Sequence, residues 1–246
     1  IIKNDKFLAK YHGGQMKNGF TLSEVLITLS VIGIVAAMTL PGLFQKYQDK
    51  SDYTHLKKIY SQLLQATMSI EQEYGSISEW NLSTESQDDS TMIMNRYKKY
   101  FKEIKTCEDD QSACLPNVTY KTTIGTDYTV WHSARFRSSF LLPDGALIMF
   151  NSQGFPDTAF QIYVDLNGWR KPNQLGNDFF YFYYFKAPKA IRPGGWAASD
   201  EDRTANFQTG CLNNYGYFCT NWLLENGNKD YLRCKDLSYS GKTKCK

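Results

Sequence analysis

Four groups of residues in this sequence have the types and spacing to do chemistry. The first is a lone acid, Glu24, near the start of an otherwise apolar run from Phe20 to Leu40. A carboxylate in such a run persists only with a partner. A cut after Gly19 would supply one, because Phe20 would then carry a free α-amine one helical turn before Glu24, the spacing at which helical groups meet. The second is Asp165-Leu166-Asn167-Gly168 with Asp178 beyond it. Asp165 and Asn167 offer oxygens at i and i+2, as calcium loops do, and Asp178 could close the site from the next strand. No third acid follows at EF-hand spacing and no bidentate Glu closes the loop. Asx and glycine turns account for the same residues without metal, so a Ca2+ site and a plain turn both stand. The third is the six cysteines: Cys107, Cys114, Cys211, Cys219, Cys234 and Cys245. An even count suits disulfides in an exported domain, and the short separation makes Cys107–Cys114 the first expected pair. There is no Cys-x-x-Cys, and His12, His55 and His132 lie far from the cysteines in sequence, which argues against zinc. The fourth is His132-Ser133, whose side chains would point apart on a strand.

No constellation here supports an enzyme. Gly-x-Ser-x-Gly, a phosphate-binding glycine loop and His-Glu-x-x-His are all absent from the sequence. The acid pairs Asp109/Asp110 and Glu201/Asp202 sit in polar stretches and read as solvated. Trp169, Trp196 and Trp222 could line a sugar or peptide groove, but in a chain with 15% aromatics sheet packing is the default. The net charge of +3 and the pI near 8.4 do not point to nucleic acid.

These residues need elements to hold them. As a helix, Phe20–Leu40 would run about 31 Å, enough for a hydrocarbon core of about 30 Å. Ahead of it, Lys3, Lys6, Lys10 and Lys17 face Asp5 alone, as in a cytoplasmic leader. The chain starts on Ile1 rather than methionine, and a truncated start is expected. Pro41-Gly42 predicts a kink or local melting at the end of the span. Beyond it, Leu56, Ile59, Tyr60, Leu63, Leu64, Thr67, Ile70 and Tyr74 recur at helical spacing, with Gly75 as C-cap. Span and stripe together make a helix of about 54 residues, too long for an ordinary globular domain. Ser90 is expected to cap a second helix over 91–105, with Ile93, Tyr97, Tyr100, Phe101 and Ile104 on its buried face. On that helix Tyr97, Lys98, Lys99, Tyr100 and Lys102 read as a partly solvated face. Strands are expected at Val118–Ile124, Tyr128–Trp131, Ser138–Leu142, Ala146–Phe150, Phe160–Leu166 and Phe179–Phe185. The tail from 187 gives few periodic signals, with Thr220–Glu225 as a short helical turn or strand.

Lys17-Asn18-Gly19 followed by Phe20-Thr21-Leu22-Ser23-Glu24-Val25-Leu26 resembles the prepilin cleavage and methylation motif of type IV pilins and type II secretion pseudopilins. An ordinary signal anchor has no reason to keep the acid. The loop Asp165-Leu166-Asn167-Gly168, Pro172-Asn173, Gly176-Asn177-Asp178 is similar, more weakly, to one that recurs in pseudopilin-like proteins, some of which bind calcium. The resemblance implies that a prepilin peptidase cuts after Gly19 and methylates Phe20. It also implies that Glu24 pairs with the amine of a neighbouring subunit, and that a proline such as Pro41, here followed by Gly42, marks the bend.

The expected fold is therefore α+β and pilin-like, a long N-terminal helix on an antiparallel sheet with a disulfide-containing C-terminal region. The expected divisions are a leader at 1–19, a transmembrane and assembly helix at 20–44, its amphipathic continuation at 45–75 and an extracytoplasmic domain at 76–246. The expected role is structural: a single-pass subunit of the cytoplasmic membrane, polymerised with other pilin or pseudopilin subunits by an inner-membrane platform into a periplasmic or surface filament. A module displayed for adhesion or DNA uptake is the alternative, and a membrane-anchored hydrolase the remoter one.

Overall fold

A computed structural model describes residues 19–108, 114, 119–128 and 137–245. The leader, Val118, residues 129–131 of an expected strand, Asp109/Asp110 and His132-Ser133 lie outside the described residues. The chain divides into two compact units, before and after the junction of Lys46 and Tyr47.

Helix α1, Leu22–Tyr74, runs through both units. In the first unit its apolar side chains, from Leu22 through Val31 and Ile34 to Phe44, are exposed. Among the described residues α1 is the helix long and apolar enough to cross a membrane. Pro41 sits inside it without interrupting the helical backbone, so the expected local melting is not found. The missing N–H of Pro41 removes one hydrogen bond to the turn before it, and the turns on both sides carry the helix across.

In the second unit the amphipathic stripe does what its spacing requires. Leu56, Ile59, Leu63, Ala66, Thr67 and Ile70 are buried in the main core, and Gly75 ends the helix at a φ of 77°. Tyr60 stacks on Phe182 at 5.2 Å, and the Tyr184 hydroxyl donates to Glu71 at 2.6 Å. Helix α2 is Gln87–Lys98, four residues earlier than expected at its start. Its N-cap is Ser86, whose hydroxyl accepts from the Asp89 N–H at 3.1 Å. Ser90 lies inside the helix and is buried, accepting from the Ser152 N–H at 2.9 Å. Because the helix stops at Lys98, Ile104 is left exposed and Tyr100 at the margin of exposure.

Among the described residues eight strands follow: β1 Lys105–Cys107, β2 Tyr120–Lys121, β3 Asp127–Tyr128, β4 Arg137–Leu141, β5 Leu147–Asn151, β6 Thr158–Asp165, β7 Phe179–Lys186 and β8 Lys189–Pro193. Six form one antiparallel sheet in the order β1-β4-β5-β6-β7-β8, and β2 pairs with β3. The β4–β5 hairpin turns through Pro143-Asp144-Gly145, with Gly145 at φ 93°. Side chains alternate: Phe160, Ile162, Val164, Phe180, Phe182 and Tyr184 join the helix-side core, while Tyr163, Phe179, Tyr181 and Tyr183 form a second core on the other face. Both faces are covered, which is why β7 reads as an unbroken aromatic run.

The tail is more ordered than its sequence suggests, with α3 Asp200–Phe207 and α4 Cys219–Asn226 around a third core. Thr220–Glu225 is helical. The cysteines pair as Cys107–Cys114, Cys211–Cys219 and Cys234–Cys245, each closing a short loop.

Candidate functional site

Gly19 and Phe20 precede α1, and the Phe20 side chain is 89% exposed. Glu24 folds back over the helix start. Its carboxylate accepts from the Thr21 N–H at 2.7 Å and the Thr21 hydroxyl at 2.8 Å, while Thr21 Oγ1 accepts from the Glu24 N–H at 3.2 Å. This is a reciprocal capping box, which satisfies two of the helix's free N–H groups. Thr21 is the cap that motif reading passes over, although Thr-x-x-Glu before an apolar run is its signature.

The second location is the β6–β7 loop. Its ends meet where the Leu166 N–H donates to the Asp178 carbonyl at 2.8 Å, and its middle docks on β2 through Lys121 and Leu175. Asp165 and Asp178 are both buried. Asp165 accepts from the Asn167 N–H at 3.1 Å and from the Tyr120 hydroxyl. Asp178 accepts from the N–H groups of Asn173, at 2.8 Å, and Gln174, at 2.6 Å. Those two bonds hold Asn173 at a φ of 49°. Burial, with the Asp178 charge adding to it, pushes the Asp165 carboxyl well above the usual range. Burial likewise raises Asp178 to about 6, against the pull of the Gln174 and Asn173 N–H groups. Asp165, Asn167 and Asp178 are thus brought together.

Two further oxygens belong to the same loop. The amide oxygens of Asn167 and Asn173 are buried with no hydrogen-bond partner, an uncommon condition for a buried acceptor. Two buried carboxylates beside two unpaired amide oxygens make an all-oxygen donor set of the kind a hard cation takes. Among the described residues no group of three or more His, Cys, Asp or Glu is placed to hold a metal, so the amides would have to contribute. Asn173 lies in the Pro172-Asn173 step, and sequence reading does not count it with the three candidate ligands.

The three tryptophans do not share a groove. Trp222 is buried and stacked on Phe207 at 4.1 Å, Trp169 is exposed in the β6–β7 loop, and Trp196 lies beyond β8. The described residues combine a long N-terminal apolar helix with an antiparallel sheet of six strands and a disulfide-containing C-terminal region, an α+β arrangement. Residues 15–40 match the family model described as the prokaryotic N-terminal methylation motif, the signature of type IV pilins and pseudopilins. The chain matches no curated protein and no solved structure.

Proposed function

We propose that this chain is a structural subunit of a type IV pilus-like filament or type II secretion pseudopilus. A prepilin peptidase cuts between Gly19 and Phe20 and methylates the new N-terminus. The apolar part of α1 holds the subunit in the cytoplasmic membrane, and the same surface packs on other pilin subunits when an assembly platform extracts it. The observation that carries this reading is the motif match over 15–40, together with the apolar side chains of the first part of α1, which are exposed among the described residues. Mass spectrometry of the membrane form is expected to find an N-terminal, methylated Phe20. An intact leader in cells with an active prepilin peptidase would overturn it.

Calcium belongs to this reading as the tie of the β6–β7 loop, held by Asp165, Asn167 and Asp178 with Asn173 beside them. The unpaired amide oxygens of Asn167 and Asn173 support it. A cation there would neutralise two buried carboxylates that otherwise repel one another. At about a hundredfold excess over Kd, a ligand adds about 2.7 kcal/mol to the native state. For a domain of this size that is a rise in Tm of about 5–10 °C. Asp178→Ala should abolish the rise, and Asn173→Ala should reduce it. No shift in millimolar calcium would leave the turn without a metal.

A further inference from the structure

Where the second sheet face meets the tail there is a cleft of about 210 Å3 that filament formation does not use. Its walls are aromatic. Phe155 leads into β6, Tyr183 and Phe185 end β7, and Trp196 follows β8. Phe155 stands 6.1 Å from Tyr183 and is 55% exposed, and Phe185 meets Trp196 edge-on at 5.3 Å. The lining also includes Asp157, which is exposed, and Asn206, which is half-buried; no side-chain hydrogen bond to protein holds either among the described residues. The wall is fixed by close backbone packing. Gly195 sits at φ 93°, and a Cβ there would strike the carbonyl of Phe218. A built recess of aromatic rings with a few convergent polar groups is the usual form of a small-ligand site, and this one has room for a single ring.

The lining narrows the chemistry of the occupant. Asp157 is the one acidic or basic residue of the lining, which disfavours an anionic guest. The Arg192 guanidinium already lies 4.9 Å over the Trp196 ring, so the attraction of that indole for cations is spent. A wholly apolar guest would leave the Asp157 and Asn206 groups facing it without partners. What remains is a neutral ring with C–H faces for the aromatic walls and several hydroxyls for the carboxylate and the amide. We propose that this cleft binds a neutral sugar, one hexose unit of a glycan. The inference does not depend on polymerisation and would hold for a subunit that never enters a fibre.

The test uses the full-length chain in a detergent without a sugar headgroup, with glucose, galactose and N-acetylglucosamine as probes in saturation-transfer NMR. At least one sugar should show transfer to its ring protons, with the millimolar Kd expected of a single small ring. Trp196→Ala should weaken binding about tenfold, the scale of one lost aromatic contact. Asn206→Ala should also weaken it, while Trp169→Ala, which removes an exposed ring elsewhere, should leave it unchanged. Trp196→Phe keeps a ring in place and should retain part of the binding, and equal melting temperatures for the four variants exclude misfolding as the cause. The proposal is overturned if no probe shows transfer, if Trp169→Ala weakens binding as much as Trp196→Ala, or if a proline-rich peptide binds the cleft where the sugars do not.

Discussion

Glu24→Ala is expected to yield a subunit that is cleaved and membrane-resident yet missing from sheared filaments. Removing the carboxylate takes a charge out of the apolar run, so insertion should be at least as efficient as in the parent. The loss falls on assembly. Inside a fibre the α-amine of Phe20 on a neighbouring copy would be buried without its acid, and an uncompensated buried charge is strongly destabilising. The capping box supplies the control. Thr21→Ala removes the hydroxyl that accepts from the Glu24 N–H and donates to its carboxylate, but it leaves the acid in place. That variant should fray the start of α1 and still enter filaments. Immunoblots of sheared fibres and of membranes, run on both variants, separate the two functions. Normal incorporation of Glu24→Ala would show that Glu24 does not pair with a neighbour.

Lys229→Ala should cost the second unit about 3–5 kcal/mol, the usual penalty for stranding one side of a buried ion pair. The Lys229 side chain is 1% exposed. Its ammonium donates to Asp52 Oδ2 at 2.6 Å, to the Asn177 carbonyl at 2.8 Å and to Asn177 Oδ1 at 2.7 Å. It thereby ties three segments together: α1, the β6–β7 loop and the tail. Nearby, Arg233 reaches Asp49 at 2.7 Å and extends the same seam. At about 2–4 °C per kcal/mol for a domain of this size, the melting temperature should fall by about 10 °C. Lys229→Met keeps most of the stem's volume and should fall nearly as far, because Asp52 stays largely buried with its cation gone and only the Gln48 amide, at 2.8 Å, still donating to it. Adding Asp52→Leu to Lys229→Met should recover part of the loss. A drop below about 2 °C for Lys229→Ala would mean that water replaces the ammonium at little cost.

How much of this was legible in the sequence depends on how local each cause is. The stripe Leu56–Ile59–Leu63–Ile70 packs where its period places it, and the hairpin at Pro143-Asp144-Gly145 follows from turn chemistry, because both are decided within a few residues. The start of α2 differs from the expected one because Ser86 and Ser90 are both acceptable caps. The choice fell to Ser90's buried bond with Ser152, which lies far along the chain. The tail helices α3 and α4 were hidden for a similar reason. They are eight residues each, and what holds them is Phe207 stacked on Trp222 with the Cys211–Cys219 bridge alongside. At the candidate cation loop, Asp165, Asn167 and Asp178 could be read from their spacing. Tyr120 could not, because β2 reaches the loop through tertiary pairing, the Lys121 backbone bonding to Asn173 and Leu175 some fifty residues away.

The outer strands of the sheet carry a consequence for how copies behave when crowded. β1 has three residues, and β8 begins with Lys189 and ends with Pro193, which has no N–H to offer a neighbour. Short, charged or proline-bearing borders are poor templates for strand addition. If copies crowd together in a bilayer, as the proposed role requires, these borders give them little means of zipping their sheets into β-aggregates. On the filament reading proposed above, association between copies would run through the apolar helix rather than through the sheet borders, and could be undone without unfolding the α+β unit.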